Sequence, residues 1–187
     1  GYISFKCEAC SDRNTVNGKV ELGYGDGQFD MAYGNGTVVV NGNGDKTAPQ
    51  FKAGYSGTRG NGNTLTLNNT YFEAGAWFTV GGSNTTINVN NSLLKVSGGD
   101  NPGTLTLNAS NTINLDLNSQ VVAAKFSGAG TINVDTEGIT EPVLVVKADM
   151  SGFTGAINVG VADYRITDDG LVVLPAVPCL NGDKYFA

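Results

Sequence analysis

Cys7 and Cys10, in Cys7-Glu8-Ala9-Cys10, are the side chains of this 187-residue chain whose spacing comes nearest to a chemical motif. Two thiolates at that spacing make half of a tetrahedral zinc site, or the reactive turn of a disulfide oxidoreductase. A zinc site needs two more ligands, and the chain offers only the distant Cys179 and no His. Redox catalysis needs a βαβ setting, whereas Ser11-Asp12-Arg13-Asn14 leads into strand-forming sequence. The three thiols therefore read as disulfide partners in an exported protein, either Cys7 with Cys10 or one of these with Cys179. The lack of His also removes the commonest general base.

Carboxylates are the next candidates. Asp168-Asp169 is an adjacent acidic pair, with Asp163 and Arg165 close by. Two carboxyl groups about 5–9.5 Å apart can act as acid and base, or acid and nucleophile, on a glycosidic bond. The same Asp168-Asp169-Gly170 is also an ordinary turn before a strand. Gly23 to Asp30 and Asn41-Gly42-Asn43-Gly44-Asp45 share part of the Gly/Asp pattern of calcium-binding repeats, without the tandem copies such repeats need. Gly-rich turns explain them more simply; Ca²⁺ is the alternative these stretches leave, and no other cofactor is expected. Thr64-x-Thr66 and Thr104-x-Thr106 are hydroxyl pairs that a flat solenoid face could present to ice, but a binding plane needs one pair per coil. Aromatic side chains that do not fit inward positions, Tyr24, Tyr33, Tyr55 and Trp77, are the candidate ligand contacts, with core or cap packing as the plainer role. Sequons at Asn35, Asn68, Asn84, Asn90 and Asn108 arise readily in a chain this rich in Asn and Thr.

The elements that must carry these residues are strands. Thr64-Leu65-Thr66-Leu67-Asn68, Thr86-Ile87-Asn88-Val89-Asn90, Thr104-Leu105-Thr106-Leu107-Asn108, Thr112-Ile113-Asn114-Leu115-Asp116, Thr131-Ile132-Asn133-Val134-Asp135 and Ala156-Ile157-Asn158-Val159-Gly160 all alternate polar with aliphatic. That is the period of a half-buried strand. Most copies recur at loose steps of 18 to 25 residues, about the length of one three-stranded β-helix coil, and the closely spaced pair beginning at Thr104 and Thr112 reads as two strands of one coil. In such a coil Leu65/Leu67, Ile87/Val89, Leu105/Leu107, Ile132/Val134 and Ile157/Val159 stack inward on one another, while outward Thr and Asn form ladders at about 4.8 Å. Asn84, Asn111 and Asn118 read instead as turn markers. Residues 1–60 are more aromatic and are punctuated by Gly, as a β cap or as irregular first coils. Residues 61–175 read as coils, and 176–187 as a tail or the start of a further unit.

Composition narrows the function classes. Hydrophobic residues make up 40% and charged residues 15%, with 27 Gly and a net charge of −6. Helix formers are scarce beside Val, Ile, Thr and Gly, which argues for an all-β protein. No basic cluster exists, so nucleic acid is not an expected partner. No apolar run approaches the roughly 18 residues of a spanning helix, so membrane insertion of this segment is not expected. The chain opens at Gly1 without a leader pattern, as a mature or excised piece does.

Gly103-Thr104-Leu105-Thr106-Leu107-Asn108, Ser127-Gly128-Ala129-Gly130-Thr131-Ile132-Asn133 and Thr167-Asp168-Asp169-Gly170-Leu171-Val172-Val173-Leu174 resemble the β-helical repeats of bacterial autotransporter passengers and large surface adhesins, over residues 61–175. The segment from Val177 to Ala187 is similar to the Asn-Gly-x-x-Tyr-Ala stretch that opens a new unit in such proteins. The resemblance implies a right-handed parallel β-helix in a secreted or cell-surface bacterial protein. It also implies a non-catalytic, adhesive role toward a host glycan, a protein or a sister copy, and it carries over no catalytic residue. The alternative is a β-helical, pectinase-like hydrolase or lyase using Asp168 and Asp169.

Overall fold

The structure is a computed structural model that describes residues 2–5, 13–17, 20–21, 28–97 and 103–177. Among these residues there is no helix, and the strands stack as a parallel β-solenoid. Strands come in threes, one for each face of the coil. The first coil has β1 (Tyr2–Phe5), β2 (Arg13–Asn17) and β3 (Val20–Glu21), and the second β4 (Gln28–Met31), β5 (Thr37–Asn41) and β6 (Phe51–Ala53). There follow β7 (Tyr55–Thr58), β8 (Thr64–Asn68) and β9 (Tyr71–Ala74), then β10 (Trp77–Val80), β11 (Thr86–Asn90) and β12 (Leu93–Val96). Each of these strands pairs in parallel with the strand three places on. Strands from the first sixty residues thus lie in the same sheets as those that follow.

Beyond β12 one coil is short, pairing Thr112 with Thr131, and the next is long again, pairing Thr131 with Ala156. After β13 (Thr104–Leu107) and β14 (Thr112–Leu115), the long β15 (Gln120–Gly128) starts on the third face and turns the corner onto the first. Then come β16 (Thr131–Val134), β17 (Val143–Asp149) and β18 (Ala156–Asn158). The chain then reverses. β19 (Asp163–Thr167) and β20 (Gly170–Leu174) form an antiparallel hairpin whose β20 pairs with β17, ending the third face.

The second face is the Thr-aliphatic-Asn-aliphatic repeat made visible. Val38, Leu65, Ile87, Ile113 and Ile132 form one inward column, and Val40, Leu67, Val89, Leu115 and Val134 another. Outward, Asn41, Asn68 and Asn90 each donate an amide N–H to the Oδ1 of the Asn one coil earlier, starting from Asn17, at 2.9–3.0 Å. A second ladder runs Asn88–Asn114–Asn133–Asn158 with the same polarity and the same lengths. Successive rungs are 19 to 27 residues apart in sequence. One row was expected in the wrong place. Leu105 and Leu107 stack on Phe78 and Val80 of the first face, not on Ile87 and Val89, whose column passes through Ile113 and Leu115. Alternation alone is the same on either face, so it does not tell a strand which face it joins.

Aromatic packing follows from register. Phe51 and Phe72 occupy one position on adjacent coils of the third face, so their rings stack at 4.7 Å and 6°, close to the strand spacing of about 4.8 Å. Phe29 crosses from the first face and meets both rings edge-on at 5.4–5.6 Å. Corners are held by buried polar side chains. Ser92 Oγ accepts the Thr70 N–H and Ser119 Oγ the Ser92 N–H, both at 3.0 Å. Asn111, expected as a turn marker, sits at a corner but is buried.

Candidate binding cleft

The first face carries a cleft assembled from three successive coils. Its inward positions are Phe29, Ser56 and Phe78, so the alternating positions Gln28, Tyr55 and Trp77 project outward in one column. Tyr55 and Trp77, neighbours across adjacent strands, approach to 4.0 Å between ring centroids at a tilt of 32°. Trp77 remains 51% exposed. An indole this open, backed by a second ring, presents a preformed apolar platform to solvent.

The next outward column is Asp30, Gly57 and Thr79. Arg59, just beyond the end of β7, reaches back to Asp30: Nε lies 3.1–3.2 Å from the two carboxylate oxygens, and Nη2 donates to Oδ2. The Asp30 side chain is only 11% exposed while that of Arg59 is 68% exposed, so the acid is sunk and the guanidinium faces out. Bidentate geometry fixes both groups. Between Asp30 and Thr79 the column has no side chain. A Cβ on Gly57 would lie 2.6 Å from the Thr79 carbonyl oxygen, so the backbone itself forms the floor. The resulting open cleft has a volume of about 530 Å³, with the Tyr55/Trp77 rings and the Asp30/Arg59 pair among its walls. Asp30 and Arg59 neutralise each other, so the cleft suits a neutral ligand with an apolar face and hydroxyls at its edge.

The other sequence candidates are dispersed. Tyr33 is exposed at the corner after β4 and does not line this cleft. Tyr24, Cys7, Cys10 and Cys179 lie outside the described residues. Asp168 and Asp169 form the exposed two-residue turn between β19 and β20, where the Asp169 N–H donates to Thr167 Oγ1 at 3.1 Å and its carbonyl accepts the Ala148 N–H. They are not among the cleft residues. Asp30, at the end of one Gly/Asp stretch, pairs with Arg59. In the other stretch, Asp45 Oδ1 accepts the Thr47 hydroxyl and N–H at 2.6 and 2.8 Å, and these bonds hold its carboxyl below the usual carboxylate range. Lys46 Nζ leaves the same loop to donate to Asn91 Oδ1 and the Asn118 carbonyl. Among the described residues no three Asp, Glu, Cys or His side chains converge on one point.

Arg59 and Thr79 were not singled out in the sequence, and Gln28 and Asp30 were read only as part of a Gly/Asp stretch. The signal for Asp30 was a charge between two large apolar residues in Phe29-Asp30-Met31, which requires it to project outward from a strand. Nothing local connects it to Arg59, which arrives one coil later.

No protein-family model, curated protein or solved structure matches the chain.

Proposed function

We propose that this chain is a non-catalytic, adhesive section of a secreted or surface-exposed bacterial rod, and that its first-face cleft holds a neutral glycan. The observation that carries the reading is the exposed Trp77 ring stacked on Tyr55 and facing the Asp30–Arg59 pair across a bare Gly57 floor. A pyranose ring has C–H groups on its flat face and hydroxyls around its rim. The C–H groups carry slight positive charge and lie against the negative face of an aromatic ring, while a rigid guanidinium–carboxylate pair engages neighbouring hydroxyls. Every wall is carried by a hydrogen-bonded strand or its end, so little ordering cost remains at binding. A rod that repeats such weak sites gains avidity without further contacts.

Binding of the purified chain to an array of glycans and matrix proteins tests this. A neutral glycan is expected to bind, and Trp77→Ala to weaken it by about tenfold or more at unchanged melting temperature. Absence of any glycan binder, or binding indifferent to Trp77→Ala, refutes the cleft assignment. Reducing-sugar release from polysaccharides, abolished by Asp168→Asn, refutes the non-catalytic half of the reading.

A further inference from the structure

Among the described residues the third face finishes on an open strand edge. β19 pairs with β20 alone among the described strands, and all its residues but Thr167 are exposed, including Tyr164 at 41% and Ile166 at 46%. Tyr164 and Ile166 project to one side of the ribbon, and Asp163, Arg165 and Thr167 to the other. An edge that exposes two large apolar side chains and carries neither Lys nor Pro is a template for a further strand.

The hairpin decides which backbone groups are on offer. Its two-residue turn is closed by Thr167 and Gly170, so that pair and every second pair beyond it exchange hydrogen bonds. Asp163, Arg165 and Thr167 therefore turn their N–H and C=O groups toward β20, and Tyr164 and Ile166 turn theirs to the open edge. The Tyr164 N–H fits this account, since it is taken up by the neighbouring Asp163 Oδ1 at 2.9 Å. A partner strand replaces that local bond with a ladder bond and frees the carboxylate.

We infer that the partner is β19 of a second copy, paired antiparallel about a two-fold axis with Tyr164 opposite Tyr164. Antiparallel pairing must set outward-facing residues opposite each other, which leaves few registers. Tyr164 opposite Ile166 sets Arg165 against Arg165, and Tyr164 opposite Ala162 sets Asp163 against Asp163, both with like charges at close range. Tyr164 opposite Tyr164 sets Asp163 against Arg165 twice and Ile166 against Ala162 twice. This register is self-complementary in charge and in apolar contact, as an isologous interface must be. The two third faces then join into one continuous sheet. A five-residue pair of strands is a small interface, so the association is weak in solution and gains from high local density.

Sedimentation equilibrium of the whole chain up to about 1 mM tests this. The expected result is a concentration-dependent dimer. Arg165→Asp and Asp163→Arg should each weaken it by about tenfold or more, because each places like charges opposite one another. The double variant Asp163→Arg with Arg165→Asp should restore it, since both cross-strand pairs become opposite again. These side chains are exposed, and an unchanged circular dichroism spectrum confirms that each variant is folded. A chain that stays monomeric throughout overturns the inference. So does a dimer that ignores the single reversals, or one that the double reversal fails to restore.

Discussion

Asn111→Ala removes a side chain that carries a corner of the solenoid. Asn111 is almost fully buried, its Oδ1 accepts the Thr85 N–H at 2.9 Å, and its Nδ2 donates to the carbonyls of Val80 at 2.9 Å and Gly82 at 3.1 Å. The Val80 carbonyl also accepts the Asn108 N–H, so it keeps a partner when the amide is gone. The Thr85 N–H and the Gly82 carbonyl lose the only bonds that this corner gives them. Each such loss in a buried setting costs about 1–3 kcal/mol, and water entering the vacated space recovers part of it, giving a net loss of about 3 kcal/mol. Asn114→Ala, on the outward ladder, removes two amide–amide bonds that water can replace and should cost about 1 kcal/mol. Urea unfolding followed by circular dichroism, with both variants at equal concentration, separates the two. A loss for Asn111→Ala no larger than that for Asn114→Ala refutes the bracket argument. Asn111→Asp adds a sign test. One carboxylate oxygen keeps the Thr85 N–H, but the other faces two carbonyl oxygens, so ionisation is disfavoured in the folded chain and the folded pKa rises above the unfolded value of about 3.9. The variant should be closest to wild type below that pH and lose stability as pH rises through the folded value. Stability that is flat or rising over that range contradicts the geometry.

Four further outcomes follow from the same structure. Gly57→Ala should cost about 1–3 kcal/mol in urea unfolding, because the new methyl collides with the Thr79 carbonyl between β7 and β10. Asn84, at φ 56°, should accept Gly with little change, whereas Asn84→Val should lower the melting temperature through about 1–2 kcal/mol of left-handed strain. Thr47→Ala should raise the Asp45 carboxyl toward the ordinary range in an NMR titration. The bonds from Thr47 favour the ionised form, so they order the loop above the ordinary carboxylate pKa and are lost as pH falls through the lowered one. Lys46→Met should speed limited proteolysis between Gly42 and Gln50, since Lys46 ties this loop to Asn91 and Asn118.

What was legible in the sequence was whatever repeats within a strand. Thr86-Ile87-Asn88-Val89 announces by itself an inward aliphatic pair and an outward amide, and the structure stacks both. The coil phase was not legible, because a face is chosen at corners such as Asn63, Asn111 and Ser119, whose partners lie about 30 residues away. The reversal at β19 was equally hidden. Asp163 to Leu174 alternates as any strand does, and parallel or antiparallel pairing is decided by the two-residue turn at Asp168-Asp169. The cleft was half visible. Tyr55 and Trp77 stood out as misfit aromatics, while the Asp30–Arg59 pair exists only because coil length sets residues 29 apart against each other. Tyr33 fits the aromatic criterion equally well but falls at the corner after β4, outside the cleft.

The asparagine ladders also set how this molecule answers to tension. Their rungs, like the backbone bonds of all three faces, run along the stacking direction, so a pull between the two chain ends loads them one coil after another. Each yielding coil frees 19 to 27 residues, or about 60–95 Å of slack at full extension, against the roughly 5 Å of height that it occupied. Pulled in this way, such a chain lengthens stepwise at low force and dissipates work.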